Sequence, residues 1–226
     1  MVESFLVRAR AAFDRRIINK FISFRRKKYN EKKRKRLENL TPSILSNNCS
    51  GGIIYSDLGL KFNSPTVNLY LSFDNFISLV RNLEYYSKCS PVQVYQEGIE
   101  FPIGKLQRDD ETVILYFMHY HSFEEARDKW LERGMRIDFD NIFIMIEYPG
   151  KLTSEMYQKF SGLPYKNKLI FTRKEHEEKD VVPLNIYDKD YFHGKLFAYP
   201  SRFSKKRYLD SFDYVSFLNQ NVNSRK

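Results

Sequence analysis

The sequence predicts an α/β fold: a largely parallel or mixed sheet flanked by helices in a Rossmann-like three-layer arrangement, preceded by a basic amphipathic helix. Three observations predict it. From Ile44 onward, short apolar runs alternate with stretches of helical period, the pattern of strand–helix–strand units. Residues that favour helix starts stand where those stretches begin. The first forty residues carry a separate, strongly basic pattern that Pro42 closes.

In that leading segment Val2, Leu6, Ala9, Phe13, Ile17, Phe21 and Phe24 recur at steps of three and four, which places them on one helix face. Arg8, Arg15, Arg16, Lys20, Arg25 and Arg26 surround the stripe, and a basic tract follows through Lys32–Arg36. Strands are expected at 43–47, 66–72, 111–118, 141–147 and 168–172, with shorter runs at 92–97, 182–187 and 195–199. A helix is expected from Gly52 to Gly59, and another from Asp74 to Lys88. Ser122 with Glu125 forms a capping box that opens a third, through Trp130 to about Arg136. A last helix is expected over 206–219, with Tyr208, Phe212, Val215 and Leu218 on its buried face. The division is therefore residues 1–40 as a basic helix and 41–226 as a single α/β domain.

Charge is distributed unevenly along this chain. Residues 1–40 hold 14 Lys/Arg against 4 Asp/Glu, and out of totals of 38 and 28 that leaves 24 of each in residues 41–226. Every argument from basic character thus belongs to the leading segment. Cys49 and Cys89 make no disulfide framework, no signal-peptide pattern is visible, and no apolar run reaches the roughly 18 residues of a membrane span. A reducing, cytoplasmic setting is expected, with the amphipathic helix lying on the inner membrane face.

Several polar clusters sit where an α/β sheet presents its ligand. Ser46-Asn47-Asn48-Cys49-Ser50-Gly51-Gly52 follows the first strand and leads into a helix, where backbone N–H groups meet anions and a thiolate is favoured. A tight turn with a buried thiol reads the same way. Thr66 and Asn68 are spaced to share one strand face, and an Asx-type turn before an extended Pro dipeptide is the alternative. His119 and His121 end a strand on one face; a pair alone is poor evidence for a metal, so none is expected, and His119 is read as an acid/base group. Asp138 and Asp140 precede a strand, the wrong end for a ligand, whereas Glu147 and Thr172 lie at strand C-terminal ends.

These clusters form part of a longer set of spaced blocks: Ser46-Asn47-Asn48-Cys49-x-Gly51-Gly52, Tyr55-x-x-Leu58-Gly59, Ser64-Pro65-Thr66-x-Asn68-Leu69, Phe101-Pro102-x-Gly104-x-Leu106, and His119-Tyr120-x-Ser122-Phe123-Glu124-Glu125-Ala126. Asp140-Asn141-Ile142-Phe143, Leu163-Pro164-Tyr165-Lys166-Asn167-Lys168 and Phe212-Asp213-Tyr214-Val215-x-Phe217-Leu218-Asn219 continue it. Together they resemble the bacterial domain of unknown function numbered nineteen-nineteen, whose members often carry the label exopolysaccharide biosynthesis protein. The resemblance spans about residues 43–219, leaving the basic leader outside. It implies an α/β domain in a capsule or exopolysaccharide setting. His121 stands where members commonly have Lys.

The expected function is a glycosyltransferase-like or other sugar-modifying enzyme acting on a nucleotide-linked or lipid-linked sugar. In this reading Asn47, Asn48, Gly51 and Gly52 hold phosphate or hydroxyls, with Cys49, Thr66, Asn68 and Thr172 around the ligand. His119 and Glu147 are the candidate catalytic groups, and Lys166 and Lys168 offset diphosphate charge. No cofactor is expected beyond a nucleotide sugar as substrate. The alternative is a non-catalytic, membrane-docked module of a polysaccharide assembly machine. Residues 1–40 are expected to meet an anionic membrane surface, ahead of packing on this domain or another subunit, with nucleic acid a distant third.

Overall fold

The computed structural model describes residues 22–173, 176–184, 195–201 and 203–223. The stripe from Val2 to Phe21 lies outside the described residues.

A four-stranded parallel sheet forms the centre, in the order β1 (Ser43–Ser46), β5 (Ile142–Tyr148), β6 (Asn167–Thr172), β7 (Val181–Pro183). A second, antiparallel sheet contains β2 (Val92–Val94), β3 (Ile103–Arg108) and β4 (Glu111–Tyr116). Strand β5 is buried along nearly its whole length because both its faces are covered, which is why it reads as an unbroken apolar run. Ile142, Ile144 and Ile146 point into one core with α3 (Phe73–Arg81), β4 and α5 (Phe123–Gly134). Phe143 and Met145 point into the other, with α2 (Ser50–Leu58) and α7 (Tyr214–Asn223). The period of two along one strand therefore builds a three-layer molecule.

Several expectations are corrected. Residues 66–72 form no strand: Pro65–Asn68 is a turn, and Asn68 has left-handed backbone (φ 67°) that breaks the alternation its side chains suggest. After that turn Tyr70 bridges to Tyr116, and the Leu71 N–H donates to the Asn47 carbonyl at 2.8 Å, so two residues stitch the antiparallel sheet to the parallel one. The expected helix from Asp74 starts one residue earlier, with the Ser72 hydroxyl accepting from the Asn75 N–H, and is interrupted at Asn82 before α4 (Leu83–Tyr86). The run 195–199 yields only a short 3₁₀ turn, Lys195–Phe197. The last helix starts at Tyr214 rather than 206, so Tyr208 and Phe212 precede it and Tyr214, Val215, Phe217 and Leu218 fill its inner face. Strand β3 and helix α6 (Ser154–Ser161) were not expected.

Residues 22–36 form α1. Its inward face is polar: Arg26, Asn30 and Lys33 are buried, while Phe24 is 54% exposed. Arg26 donates to Asp57 and Asp210, Lys33 to Asp210, and the Asn30 amide to Asp57 at 2.8 Å. Arg34 caps the end of α2 through the Asp57 carbonyl (3.0 Å), and Arg36 pairs with Asp213. Three domain carboxylates thus receive the inner cations of the basic tract, and residues 22–40 pack on the domain rather than hanging from it. No helix among the described residues is long and apolar enough to cross a membrane.

Candidate functional site

A cavity of about 920 Å³ opens where β1 ends and α2 begins. Asn48, at the junction and expected to hold a ligand, lines the cavity, and Cys49, Gly52, Ile53 and Ser56 supply one helix face of its wall. The turn at Asn68, Leu69 and Tyr70 supplies another, the loop after β4 brings Met118 and His119, and Phe197 closes it. Ends of parallel strands gather ligands in this fold class because the loops there face a common crevice.

Within that crevice, the polar side chains without a hydrogen-bond partner among the described residues include Asn68, His119 and the Ser56 hydroxyl. Asn68 is held left-handed by its neighbours: the Arg133 guanidinium donates to the Val67 carbonyl at 3.2 Å and the Tyr120 hydroxyl to the same oxygen at 3.1 Å. A non-glycine residue kept in that conformation with a free amide at a cavity has the signature of a ligand contact. His119 is exposed on the loop between β4 and α5. His121, expected on the same face, lines a separate groove with Gln93 and Phe101 because β4 stops at Tyr116 and the chain turns between the two imidazoles. Among the described residues no group of three or more His, Cys, Asp or Glu side chains is arranged to hold a metal.

The remaining candidates divide into scaffold and outliers. Asn47 is fully buried, its amide donating to the Glu147 carbonyl at 3.1 Å and accepting from the Glu147 N–H at 2.9 Å, so it prolongs the β1–β5 ladder by side chain. Asn48 donates to the buried Glu147 carboxylate and accepts from the Ser50 N–H (3.0 Å) and hydroxyl (2.8 Å). Thr66 accepts from the Ser46 N–H at 3.1 Å. Gly51 is small for packing, since a Cβ there would stand 2.8 Å from the Ser46 hydroxyl, whereas Gly52 lines the cavity, where a Cβ would stand 3.1 Å from Val67 and 3.4 Å from the Asn68 amide oxygen. The Ser46 hydroxyl also takes the Gly51 N–H, so two of the first N–H groups of α2 are already engaged and offer no open phosphate cradle. Thr172 is buried at the end of β6 and is not part of the cavity wall.

Lys166 and Lys168 are corrected outright. They stand at the start of β6, the opposite end of the sheet, where Lys168 donates to the Ser161 and Leu163 carbonyls at 2.6 Å and so caps α6. Among the described residues no Lys or Arg lines the cavity. The expectation for Cys49 is reversed as well: burial, and then the Glu147 carboxylate, push its thiol up to about 11 despite its place at a helix N-terminus. Ile53, Ser56, Leu69, Tyr70, Met118 and Phe197 were missed. The first two follow from Cys49 by helical spacing, while Phe197 arrives from a distant turn that carries no local signal.

The match of this chain to a family model extends over residues 20–219, under the description domain of unknown function (DUF1919). The chain belongs to the DUF1919 family. A protein of Haemophilus influenzae, described as uncharacterized, is 38% identical over 186 residues, covering 82% of this chain and 87% of its own. The DUF1919 match begins at residue 20 rather than near 43, so it takes in the helix whose cations sit on Asp57 and Asp210.

Proposed function

We propose that the cavity binds the sugar portion of a glycan carried on an apolar group, and that the domain modifies it in exopolysaccharide or capsule synthesis at the cytoplasmic membrane face. The observation that carries this reading is a cavity with apolar wall at Ile53, Leu69, Met118 and Phe197 into which the Asn68 amide, the His119 imidazole and the Ser56 hydroxyl bring polar groups without a hydrogen-bond partner among the described residues. An amide suits hydroxyls, aromatic and aliphatic side chains suit the C–H faces of a pyranose or an alkyl chain, and an unengaged imidazole can take a proton from an acceptor hydroxyl. A nucleotide diphosphate fits less well. Among the described residues no cationic side chain lines the cavity, the Ser50 and Gly51 N–H groups of α2 are engaged, and the Glu147 carboxylate lies behind Asn48. The pathway setting rests on the label attached to the family that the sequence blocks resemble.

One observation favours the non-catalytic alternative. Apart from His119, the titratable groups of the wall among the described residues are Cys49 and Tyr70, and burial pushes both upward. A thermal-shift screen of the full chain separates the readings, because a ligand of the folded state raises its melting temperature. Alkyl glycosides are expected to stabilise the protein, UDP and UDP-sugars are not, and His119→Ala keeps the shift while losing turnover of the saccharide that binds. Stabilisation by UDP-sugars alone would overturn the ligand assignment, and no shift with any saccharide would leave the assembly-module reading standing.

A further inference from the structure

The cations of α1 separate into two sets by helical position. Arg26, Lys33 and Arg36 are matched by Asp210, Asp57 and Asp213. Lys28, Lys32 and Lys35 recur at four and three residues on the opposite, solvent-facing side with Phe24, and none of these lysines forms an ion pair among the described residues. Glu31 is the acid that shares their face.

A second segment joins this surface from far along the chain. The amines of Lys205 and Lys206 lie 6.0 and 5.8 Å from the ring of Tyr29, which also packs against Arg26 and Lys33 and so stands at the border of the inner face, three residues before Lys32. Neither has a carboxylate partner among the described residues, and Phe203, two residues before them, is 64% exposed. Phe24, with the Lys28 amine 4.6 Å from its ring, is exposed at the helix end of the same stretch.

We propose that the outer face of α1 and the 203–206 loop together form one composite surface that seats the domain on an anionic lipid bilayer. Charge complementarity selects the occupant: the domain beyond residue 40 is balanced in charge, and its acids are drawn to the inner side of α1, which leaves the outer lysines uncompensated. Two phenylalanines held in water beside those lysines match the boundary between headgroups and acyl chains, where aromatic rings partition with flanking ammonium groups. The surface also adjoins the cavity. Helix α2 lines the cavity with Ser56 and holds α1 through the next residue, Asp57, so a ligand anchored in the bilayer has a short path to Asn68 and His119. The proposal rests on the membrane placement given above and not on the identity of the sugar.

The test is co-sedimentation of the full chain with vesicles of phosphatidylcholine, with and without phosphatidylglycerol, across a salt series. Wild type is expected to bind only the anionic vesicles, more weakly as salt rises. Lys205→Gln with Lys206→Gln should lower the partition coefficient by roughly 25-fold, at roughly fivefold per lysine, with the melting temperature unchanged because both side chains are at the surface. Phe203→Ser should weaken binding further at high salt. If the loop variants partition like wild type while Lys28→Gln with Lys32→Gln and Lys35→Gln releases the protein, the anchor is the helix alone and the composite surface is wrong. If wild type ignores anionic vesicles, or binds RNA in their place, the membrane placement itself falls; the thermal-shift result with glycosides is unaffected by either outcome.

Discussion

At the scale of single residues, the site turns on whether a polar side chain is already engaged. Asn47, Asn48 and Asn68 are the same chemical group, and their spacing cannot distinguish them. Only the partners do: the first two hold Glu147 and Ser50, while the third holds nothing among the described residues. The junction after β1 was legible in the sequence as the place of the cavity, because glycines and amides at a strand end mark a close turn into a helix at the sheet's ligand-facing edge. Which amide faces a ligand depends on a turn at Pro65–Asn68 that alternating polar residues disguise as a strand. The left-handed backbone separates side chain from main chain in an experiment. Asn68→Gly keeps the fold because glycine adopts φ 67° freely, but removes the amide, so ligand-induced stabilisation should vanish at an unchanged melting temperature. Asn68→Ala loses the same contact and in addition roughly 1–2 kcal/mol of stability, read by urea denaturation.

At the scale of elements, the inner face of α1 is held on the domain by electrostatics. Its described inner face is Arg26, Asn30 and Lys33, which in sequence are indistinguishable from a solvated basic tract. The acids that bury them, Asp57 and Asp210, lie 31 and 184 residues away from Arg26. Strand β3 is masked in the sequence for a related reason, since Gly104, Lys105 and Arg108 dilute a pattern that only its pairing with β4 completes. Burial raises the Asp210 carboxyl, but hydrogen bonds from Arg26 and Lys33, the Lys33 charge and the Arg207 N–H outweigh it and hold the group below its ordinary value of 3.8. For Lys33 the balance falls the other way: burial pulls it below its ordinary value despite its bond to Asp210, which leaves Arg26 as the firmer anchor. A depressed carboxyl contributes stability that is present above the unfolded value and is lost as pH falls through the folded one. Acid titration below pH 3.8 should therefore release α1, seen as loss of protection of its amides in hydrogen exchange. Arg26→Met removes the common partner of two buried carboxylates and should cost about 3–5 kcal/mol in thermal denaturation at neutral pH.

At the scale of the whole molecule, the parallel sheet and its helices were readable from the alternation of apolar runs, because a strand covered on both faces must be apolar throughout. In the second sheet β2 and β4 were marked by apolar runs, but β3 and the stitch through Tyr70 and Leu71 were not, since they depend on contacts between segments with no local mark. A division at residue 40 follows the composition but cuts through packing, and the family match back to residue 20 follows the packing.

The reach from Arg26 to Asp210 also has a meaning in time. A ribosome adding about 5–20 residues per second needs on the order of ten to forty seconds to make the intervening 184 residues. Throughout that interval Arg26 and Lys33 have been synthesised without the carboxylate they share. The contacts of α1 with Asp57 are within reach early, whereas those with Asp210 and Asp213 wait until that far segment has been made. Trypsin should cut arrested nascent chains that end before Asp210 within residues 25–36, and spare Arg26 and Lys33 once the C-terminal helix has emerged.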